Sequence, residues 1–191
     1  MNNELTTKPY WYIKRLFDII LSIILIIITL PLMLITMILL VISLGLPIFN
    51  QKRYREGLNK EKYLMLKFRT KKMNVDNLPR KERYTKLSYA IDKLKLNELP
   101  QLFNVLFGQM SFVGPRPFIP GEVLPEGEIS EKRYCVRPGL TNLAFINSNG
   151  LLTHKQKLLS DITYYDNFGF KQDLIIFLKT PIAIIKKFKK N

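Results

Sequence analysis

Two arginines in this 191-residue sequence lie in segments that proline and glycine make rigid. Arg116 stands between two prolines, and Arg137 directly precedes a Pro-Gly pair. Because proline fixes φ, the direction of each arginine is restricted before the chain folds. A planar guanidinium held in place can bind two phosphate oxygens at once, so both arginines are predicted to bind phosphate. The residues expected to shape the two loops are Pro115, Pro117, Pro138 and Gly139.

A second basic group follows a short apolar segment. Tyr63 to Phe68 has the composition of a strand, and Lys67 and Arg69 lie at its end. Strand ends commonly present ligand-binding side chains, so these two residues are also predicted to bind phosphate. The stretch from Met73 to Arg83 mixes charges with proline, which predicts a surface loop before a helix that begins near Tyr84.

The segment from Asn97 to Gly108 has the pattern of a helix. Asn97 is a strong N-cap, Glu98 suits the positive end of the helix dipole, Pro100 is tolerated in the first turn, and Gly108 can end the helix. From the residues alone, the favoured interpretation of Asn97 and Glu98 is therefore a simple helix cap.

The chain has one cysteine, Cys135, and one histidine, His154. One cysteine cannot form an internal disulfide, and zinc sites need several Cys or His ligands. Neighbouring arginines favour the thiolate, but a lone cysteine without a second histidine as base is usually a core residue. Neither residue is therefore predicted to be catalytic.

No charged residue occurs between Asp18 and Lys52. A straight helix over this stretch would be about 50 Å long, against a hydrocarbon thickness of about 30 Å. Pro31 lies near its middle and predicts a bend or break close to Leu30. Both flanks are basic, which predicts that both ends face the cytoplasm and that the helix is re-entrant. The alternative is an ordinary kinked transmembrane helix; the flanking basic residues are Lys14, Arg15, Lys52, Arg53 and Arg55.

The end of the chain, from Asp173 to Lys190, interleaves apolar residues with lysines. This pattern predicts an amphipathic helix at the membrane surface, where each basic residue near anionic lipid contributes about 1 kcal/mol. A C-terminal core helix with a basic end remains the alternative.

Over the whole chain there are 30 Lys and Arg residues against 15 Asp and Glu residues, and this net charge of +15 predicts an anionic partner. The length indicates one globular domain.

Five separated motifs together resemble the bacterial sugar transferases, the monotopic phosphoglycosyl transferases: Lys14–Asp18, Lys67–Thr70, Asn97–Val105, Val113–Pro117 and Arg137–Thr141. The resemblance implies an α/β fold with a re-entrant helix in residues 1–50 and a cytoplasmic head in residues 51–191. It also implies transfer of a sugar phosphate from a nucleoside diphosphate sugar, such as a UDP-sugar, to polyprenyl phosphate. The expected location is the bacterial inner membrane.

The resemblance also exposes departures at the reaction centre. The family has an Asp-Glu pair where this chain has Asn97-Glu98; its aspartate attacks the β-phosphorus, beside bound Mg²⁺. A neutral amide is a poor nucleophile and a weak magnesium ligand, so Glu98 is the one candidate metal ligand left in the pair. The family arginine five residues earlier is Asp92, and an acidic residue of the next loop is Gln109. The tryptophan expected after the Pro-Gly-Leu-Thr motif is replaced by Asn142-Leu143.

These departures predict a noncatalytic family member that supports a catalytic partner in a homo- or hetero-oligomer, or that binds nucleotide sugar or polyprenyl phosphate without turnover. The enzyme alternative uses Glu98 as nucleophile or base, Arg116 and Arg137 to neutralise developing charge, and Asp92 to help hold magnesium. A membrane-tethered nucleic-acid or scaffold protein is a third class, suggested by charge alone. It is disfavoured because no recognised nucleic-acid motif accompanies the charge.

Overall fold

The computed structural model describes residues 4–50, 53–75, 77–121, 127–147 and 152–190. Within these ranges the fold mixes helices with short strands, in agreement with the predicted α/β class. The α-helices are α1 (Pro9–Leu44), α2 (Lys86–Lys93), α3 (Gln101–Leu106), α4 (Leu143–Asn147), α5 (His154–Asp166) and α6 (Phe170–Lys190). The strands are β1 (Tyr54–Glu56), β2 (Lys62–Leu64), β3 (Ser111–Val113) and β4 (Gly139–Thr141). Short 3-10 helices occupy Glu4–Thr7, Leu58–Lys60, Arg80–Arg83, Leu96–Glu98 and Gly127–Cys135.

Helix α1 is continuous over 36 residues with Pro31 inside it. Of the predicted bend or break near Leu30, the structure excludes the break, because the helix does not end there. Proline removes one helical hydrogen bond, and the adjoining turns keep theirs, so the helix can continue through it. Among the described residues, α1 is the one helix long and apolar enough to cross a membrane.

Buried residues occur in both halves of α1. Its buried positions recur at helical spacing on both sides of Pro31, whereas the other faces expose isoleucines and leucines. The buried residues are Asp18, Ser22, Met33, Thr36 and Leu40.

The N-terminal end of α1 is attached to α3 and β3. The guanidinium of Arg15 donates to the carbonyl oxygens of Val105 and Leu106 at 2.7 Å each. One carboxylate oxygen of Asp18 accepts from the hydroxyl of Ser111 and the backbone N–H of Phe112, both at 3.1 Å. The Arg15 bonds reach the last two residues of α3, where a helix has acceptors to spare, and the Asp18 bonds reach β3.

The C-terminal end of α1 is attached to the same head. Ser43 and Thr85 share a hydrogen bond between their hydroxyls at 2.5 Å, and Thr85 also caps α2. Arg69 donates to the carbonyl oxygens of Leu44 and Gly45, at 3.0 and 2.7 Å. Both ends of the apolar helix therefore contact one compact unit.

The strands form two small sheets. β1 pairs antiparallel with β2, and β3 pairs parallel with β4. The predicted strand over Tyr63–Phe68 is shorter than expected: β2 ends at Leu64, and Phe68 makes only an isolated bridge to Phe49. The reason is that the segment after β2 forms its hydrogen bonds with the residues that follow α1 and with side chains of α3, rather than with another strand.

The predicted helix near Tyr84 is confirmed as α2, and the predicted surface loop before it contains a short 3-10 helix. Cys135 is buried, as expected for a core residue, and burial raises the pKa of its thiol. His154 is exposed at the first position of α5. Helix α6 has features of both predicted alternatives, the amphipathic surface helix and the core helix. Ile176 is fully buried, whereas Leu178 and Ile182 are exposed.

Candidate functional site

The glycines of two predicted loops allow their backbones to touch. β3 and β4 bring Val113 opposite Thr141, so the loop with Arg116 lies beside the segment with Arg137. A Cβ on Gly114 would lie 2.2 Å from the carbonyl oxygen of Arg137, and one on Gly139 would lie 2.2 Å from the backbone nitrogen of Gly114. Only glycine fits such an approach. The predicted structural role of Gly139 therefore has a direct steric reason.

A charged cluster lies before α3. The Nζ of Lys67 is 2.9 Å from a carboxylate oxygen of Glu98, and the Nζ of Lys95 is 3.4 Å from the same oxygen. Lys67 is buried, whereas the Glu98 side chain is 38% exposed. The structure therefore brings together two predicted site residues, Lys67 and Glu98, at the protein surface.

The charge state of Glu98 follows from these neighbours. Burial by itself raises the pKa of this carboxyl, but Lys67 and Lys95 outweigh burial and leave the pKa below its ordinary value. Glu98 is thus an ionised carboxylate at neutral pH. Burial lowers the pKa of the Lys67 ammonium, and the charge of Glu98 opposes that change.

Asn97 faces the interior instead of the cluster. It is fully buried, and its Nδ2 donates to a carboxylate oxygen of Asp92 at 2.7 Å. The hydroxyl of Thr70 donates to the same oxygen at 3.1 Å. The Oδ1 of Asn97 is buried, and the structure gives it no hydrogen-bond donor among the described residues.

The favoured interpretation of Asn97 as an N-cap is wrong. Asn97 lies inside the 3-10 turn Leu96–Glu98, and α3 begins only at Gln101. Its side chain bonds Asp92 rather than a backbone N–H of the helix, because the turn points it inward. Gly108 does follow the end of the helix, with φ at +81°, as predicted.

The side chain of Arg69 has a structural role. Besides Leu44 and Gly45, its guanidinium donates to the carbonyl oxygens of Pro47 and Lys71, at 2.8 and 3.1 Å. Four of the roughly five N–H groups of an arginine are thereby engaged with backbone carbonyls. The prediction that Arg69 binds phosphate does not fit this arrangement, since the side chain is buried as a cap for the exit of α1.

Arg116 has an exposed side chain on a fixed backbone. Its carbonyl oxygen accepts from Arg133 at 2.7 Å, and its backbone N–H donates to Asp161. Arg133 and Asp161 form a buried ion pair at 2.9 Å. No local pattern in the sequence indicates this support, because Asp161 lies in a helix more than forty residues away and carries no motif.

The Arg133–Asp161 pair makes stability depend on pH. Burial raises the pKa of Asp161 to about 6, above the usual value of about 3.9 for an unfolded chain, although Arg133 opposes the change. The folded state therefore holds this proton more tightly, and the free energy of unfolding should fall as pH rises from about 4 to about 6. Asp161→Asn should flatten that fall in unfolding curves recorded across this range. An equally steep curve in the variant would contradict the assignment.

Arg137 lies beyond the opposite end of α3 from Glu98. Its Nε donates to the carbonyl oxygen of Gly108 at 2.9 Å, and its guanidinium lies 5.1 Å from the ring centre of Trp11. Burial lowers its pKa, and the nearby charge of Arg15 acts in the same direction. The structure therefore does not bring Arg137 to the Glu98 cluster.

Asn104 is a buried residue of α3 that was not predicted as a site residue. Its Oδ1 accepts from the backbone N–H of Leu66 at 2.8 Å, and its Nδ2 donates to Leu64 and to Gln109, at 2.9 and 2.6 Å. It thus binds the chain segment that carries Lys67. Its place in the Asn97–Val105 motif was the one available signal.

The oxygens near Glu98 do not fit the magnesium site that the resemblance implies. Glu98 is neutralised by two ammonium groups, the Oδ1 of Asn97 is buried, and one oxygen of Asp92 is engaged by Asn97 and Thr70. Magnesium prefers accessible carboxylates in octahedral geometry. In the described parts of the chain, no group of three or more His, Cys, Asp or Glu residues is suited to a metal ion.

Comparison with known proteins gives the family. The chain matches the family described as bacterial sugar transferase over residues 9–187. It is 37% identical over 177 residues to an uncharacterized sugar transferase, EpsL, of Bacillus subtilis (strain 168), covering 91% of this chain and 87% of that protein. It is 33% identical over 192 residues to the exopolysaccharide production protein ExoY of Sinorhizobium fredii (strain NBRC 101917 / NGR234), covering 90% and 84%.

A longer relative is named for its reaction. The chain is 35% identical over 192 residues to a UDP-glucose:undecaprenyl-phosphate glucose-1-phosphate transferase of Klebsiella pneumoniae, covering 91% of this chain but 40% of that protein. This chain therefore spans less than half of that relative. The match over nearly its whole length nevertheless shows that the chain belongs to the bacterial sugar transferase family.

Proposed function

We propose that this chain is a noncatalytic member of the bacterial sugar transferase family in membrane glycan assembly. It supports a catalytic partner, or binds a nucleotide sugar or polyprenyl phosphate without turning it over. The observation that carries the proposal is the state of Asn97. At the position that the resemblance gives to the nucleophile stands a neutral, fully buried amide that donates to Asp92.

The surrounding residues support the same conclusion. Asp92 accepts a hydrogen bond from the amide of Asn97, and an ionised aspartate at position 97 could not donate one. The site is thus adapted to asparagine. A buried amide cannot attack phosphorus, because it has neither the charge nor the access of a carboxylate nucleophile. The residues near Glu98 fit magnesium poorly, which supports a metal affinity that is weakened or lost in this chain.

The membrane arrangement belongs to the proposal as well. Relatives in this family are named for undecaprenyl-phosphate carriers, and α1 is long and strongly apolar. Both ends of α1 bond to the same head, and buried residues occur on both sides of Pro31. These contacts support a re-entrant helix with both ends on the cytoplasmic side of the inner membrane. A helix with its ends on opposite sides would need to give up one set of bonds.

The alternative is an active transferase that uses Glu98. One observation favours it: Glu98 is ionised and partly exposed, unlike Asn97. Its low pKa makes it a weak base, and its ion pairs with Lys67 and Lys95 hold it away from attack. We therefore place it second.

Turnover by the isolated chain separates the two proposals. We expect the purified chain, given UDP-sugars, polyprenyl phosphate and Mg²⁺ in lipid nanodiscs, to release no UMP above a protein-free control. Glu98→Gln should leave that result unchanged, as should the surface variant Glu61→Gln. UMP release by the wild type that Glu98→Gln abolishes and Glu61→Gln keeps would overturn the noncatalytic proposal.

The partner is tested in native membrane. A catalytic family member should co-purify with this chain, and the complex should release UMP. Glu98→Gln in this chain should preserve that turnover, because the chemistry resides in the partner. Co-purification of this chain alone, together with full turnover by it, would contradict the supporting role.

A further inference from the structure

An apolar groove of about 250 Å³ lies between α1 and α6, with β3 as its floor. Ile13 and Phe17 of α1 form one wall, Leu174 and Phe177 of α6 form the other, and Phe112 lies in the floor. The rings of Phe17 and Phe177 meet edge to face, with centroids 6.2 Å apart. The volume is smaller than the roughly 300–1,000 Å³ of typical small-molecule sites. A single hydrocarbon chain therefore fits its size better than a sugar nucleotide.

The polar groups of the groove are already paired, except for the buried Oδ2 of Asp18, a carboxylate oxygen that would repel a phosphate. Lys14 is the one cationic side chain among the described residues that line it, and its Nζ lies 2.6 Å from a carboxylate oxygen of Asp173. The same ammonium donates to the carbonyl oxygen of Val113 at 2.8 Å, and the hydroxyl of Tyr10 donates to Asp173 at 2.6 Å. A phosphate would have to displace Asp173 from a buried ion pair. The groove is thus suited to hydrocarbon and unsuited to a phosphate head group.

The groove opens between two exposed apolar surfaces. Its wall residue Ile13 is 59% exposed, and the same side of α1 continues outward in the apolar helix. On α6, exposed apolar residues continue past the groove at Leu178 and Ile182. Exposed apolar surface of this extent marks contact with membrane or partner. Continuity with the membrane-associated helix α1 selects the membrane.

We propose that this groove binds one acyl chain of a membrane phospholipid and thereby holds α6 against the bilayer beside α1. The site is separate from the Glu98 cluster, and the inference holds whether or not the chain turns over. The acyl chain packs on the phenylalanine rings of the walls and floor. Its head group stays at the membrane surface, outside the groove.

Photocrosslinking of lipid tests the proposal. The full chain would be reconstituted in nanodiscs of phosphatidylethanolamine and phosphatidylglycerol that contain a phosphatidylethanolamine with a diazirine at the end of one acyl chain. Mapped crosslinks should be enriched several-fold at Phe17, Phe112 and Phe177 over Ile24 and Ile27, which are exposed on α1 outside the groove.

Two tryptophan variants of α6 provide matched controls. Leu174→Trp places a large side chain in the groove and should remove most of the enrichment, whereas Leu178→Trp, one turn further on and outside the lining, should preserve it. Uniform labelling of α1 and α6, or enrichment unaffected by Leu174→Trp, would overturn the proposal. Loss of label upon addition of equimolar polyprenyl phosphate would also overturn it, and would assign the groove to the isoprenoid chain.

Discussion

Asn97→Asp is expected to destabilise this protein rather than restore a family active site. The new carboxylate would replace an amide that donates to Asp92 at 2.7 Å in a fully buried position. Two carboxylates at such a distance cannot both ionise, so one must hold a proton at neutral pH. We expect the free energy of unfolding to fall by about 3 kcal/mol at pH 7. For a chain of this size that corresponds to a fall of about 6–12 °C in the melting temperature.

The pH dependence of this variant has a definite sign. The shared carboxyl has a folded pKa raised above its unfolded value of about 3.9. The loss should therefore vanish below about pH 4, where both states are protonated, and grow as pH rises. Thermal unfolding in detergent between pH 4 and pH 8 measures it. A variant as stable as wild type at pH 8 would show that Asp92 does not depend on the amide.

The exchange Asp92→Asn with Asn97→Asp is the matched control. It keeps one amide, one carboxylate and the hydrogen bond between them, but moves the carboxylate to position 97. We expect a free energy of unfolding within about 1 kcal/mol of wild type, since the amide–carboxylate hydrogen bond is kept. This variant also provides a fair test of chemistry: UMP release by it, and none by wild type, would identify the missing carboxylate as the cause of inactivity.

Asp173→Ala should have an effect at least as large, at the junction of α1 with the head. Asp173 accepts from Tyr10 at 2.6 Å and from Tyr164 at 2.7 Å, and it pairs with Lys14 at 2.6 Å. Removing it leaves a buried ammonium without its counter-charge. We expect a loss of about 3–5 kcal/mol of unfolding free energy, the usual result of removing one partner of a buried ion pair.

An exposed pair on the same protein is the control for Asp173→Ala. Lys132 and Asp166 lie 3.0 Å apart with both side chains about half exposed. Because solvent screens such pairs, Asp166→Ala should leave the melting temperature nearly unchanged. Lys14→Met combined with Asp173→Leu should recover much of the loss, since it removes both buried charges together. Equal melting temperatures for Asp173→Ala and Asp166→Ala would contradict the anchoring role.

These contacts explain two of the family motifs in physical terms. In the Lys14–Asp18 motif, Lys14 binds Asp173 and Val113, Arg15 binds the end of α3, and Asp18 binds β3. The motif therefore attaches the apolar helix to the head. In the Lys67–Thr70 motif, Lys67 faces Glu98, whereas Arg69 caps the exit of α1. Lys67 and Arg69, two basic residues of one motif, therefore have different roles.

The local properties of the sequence determined much of what the structure contains. An uninterrupted apolar stretch predicts a membrane helix, a charged stretch with a proline predicts the loop before α2, and five motifs in order identify the family. Glycine beside proline predicts a rigid loop at Pro138 and Gly139, and in the structure Gly139 lies against the backbone of Gly114. Each of these follows from composition or from neighbours in the chain, so no long-range contact is needed to infer it.

Tertiary structure alone decided where charges and polar groups meet. Asn97 turned inward to Asp92 instead of capping a helix, and Arg69 bonded to the carbonyls of α1 instead of remaining available to a ligand. The support of Arg116 by Asp161 joins residues with no local relation in the sequence. The physical reason is that the direction of a polar side chain is set by the unpaired donors and acceptors that packing brings within hydrogen-bond distance, and those come from distant parts of the chain.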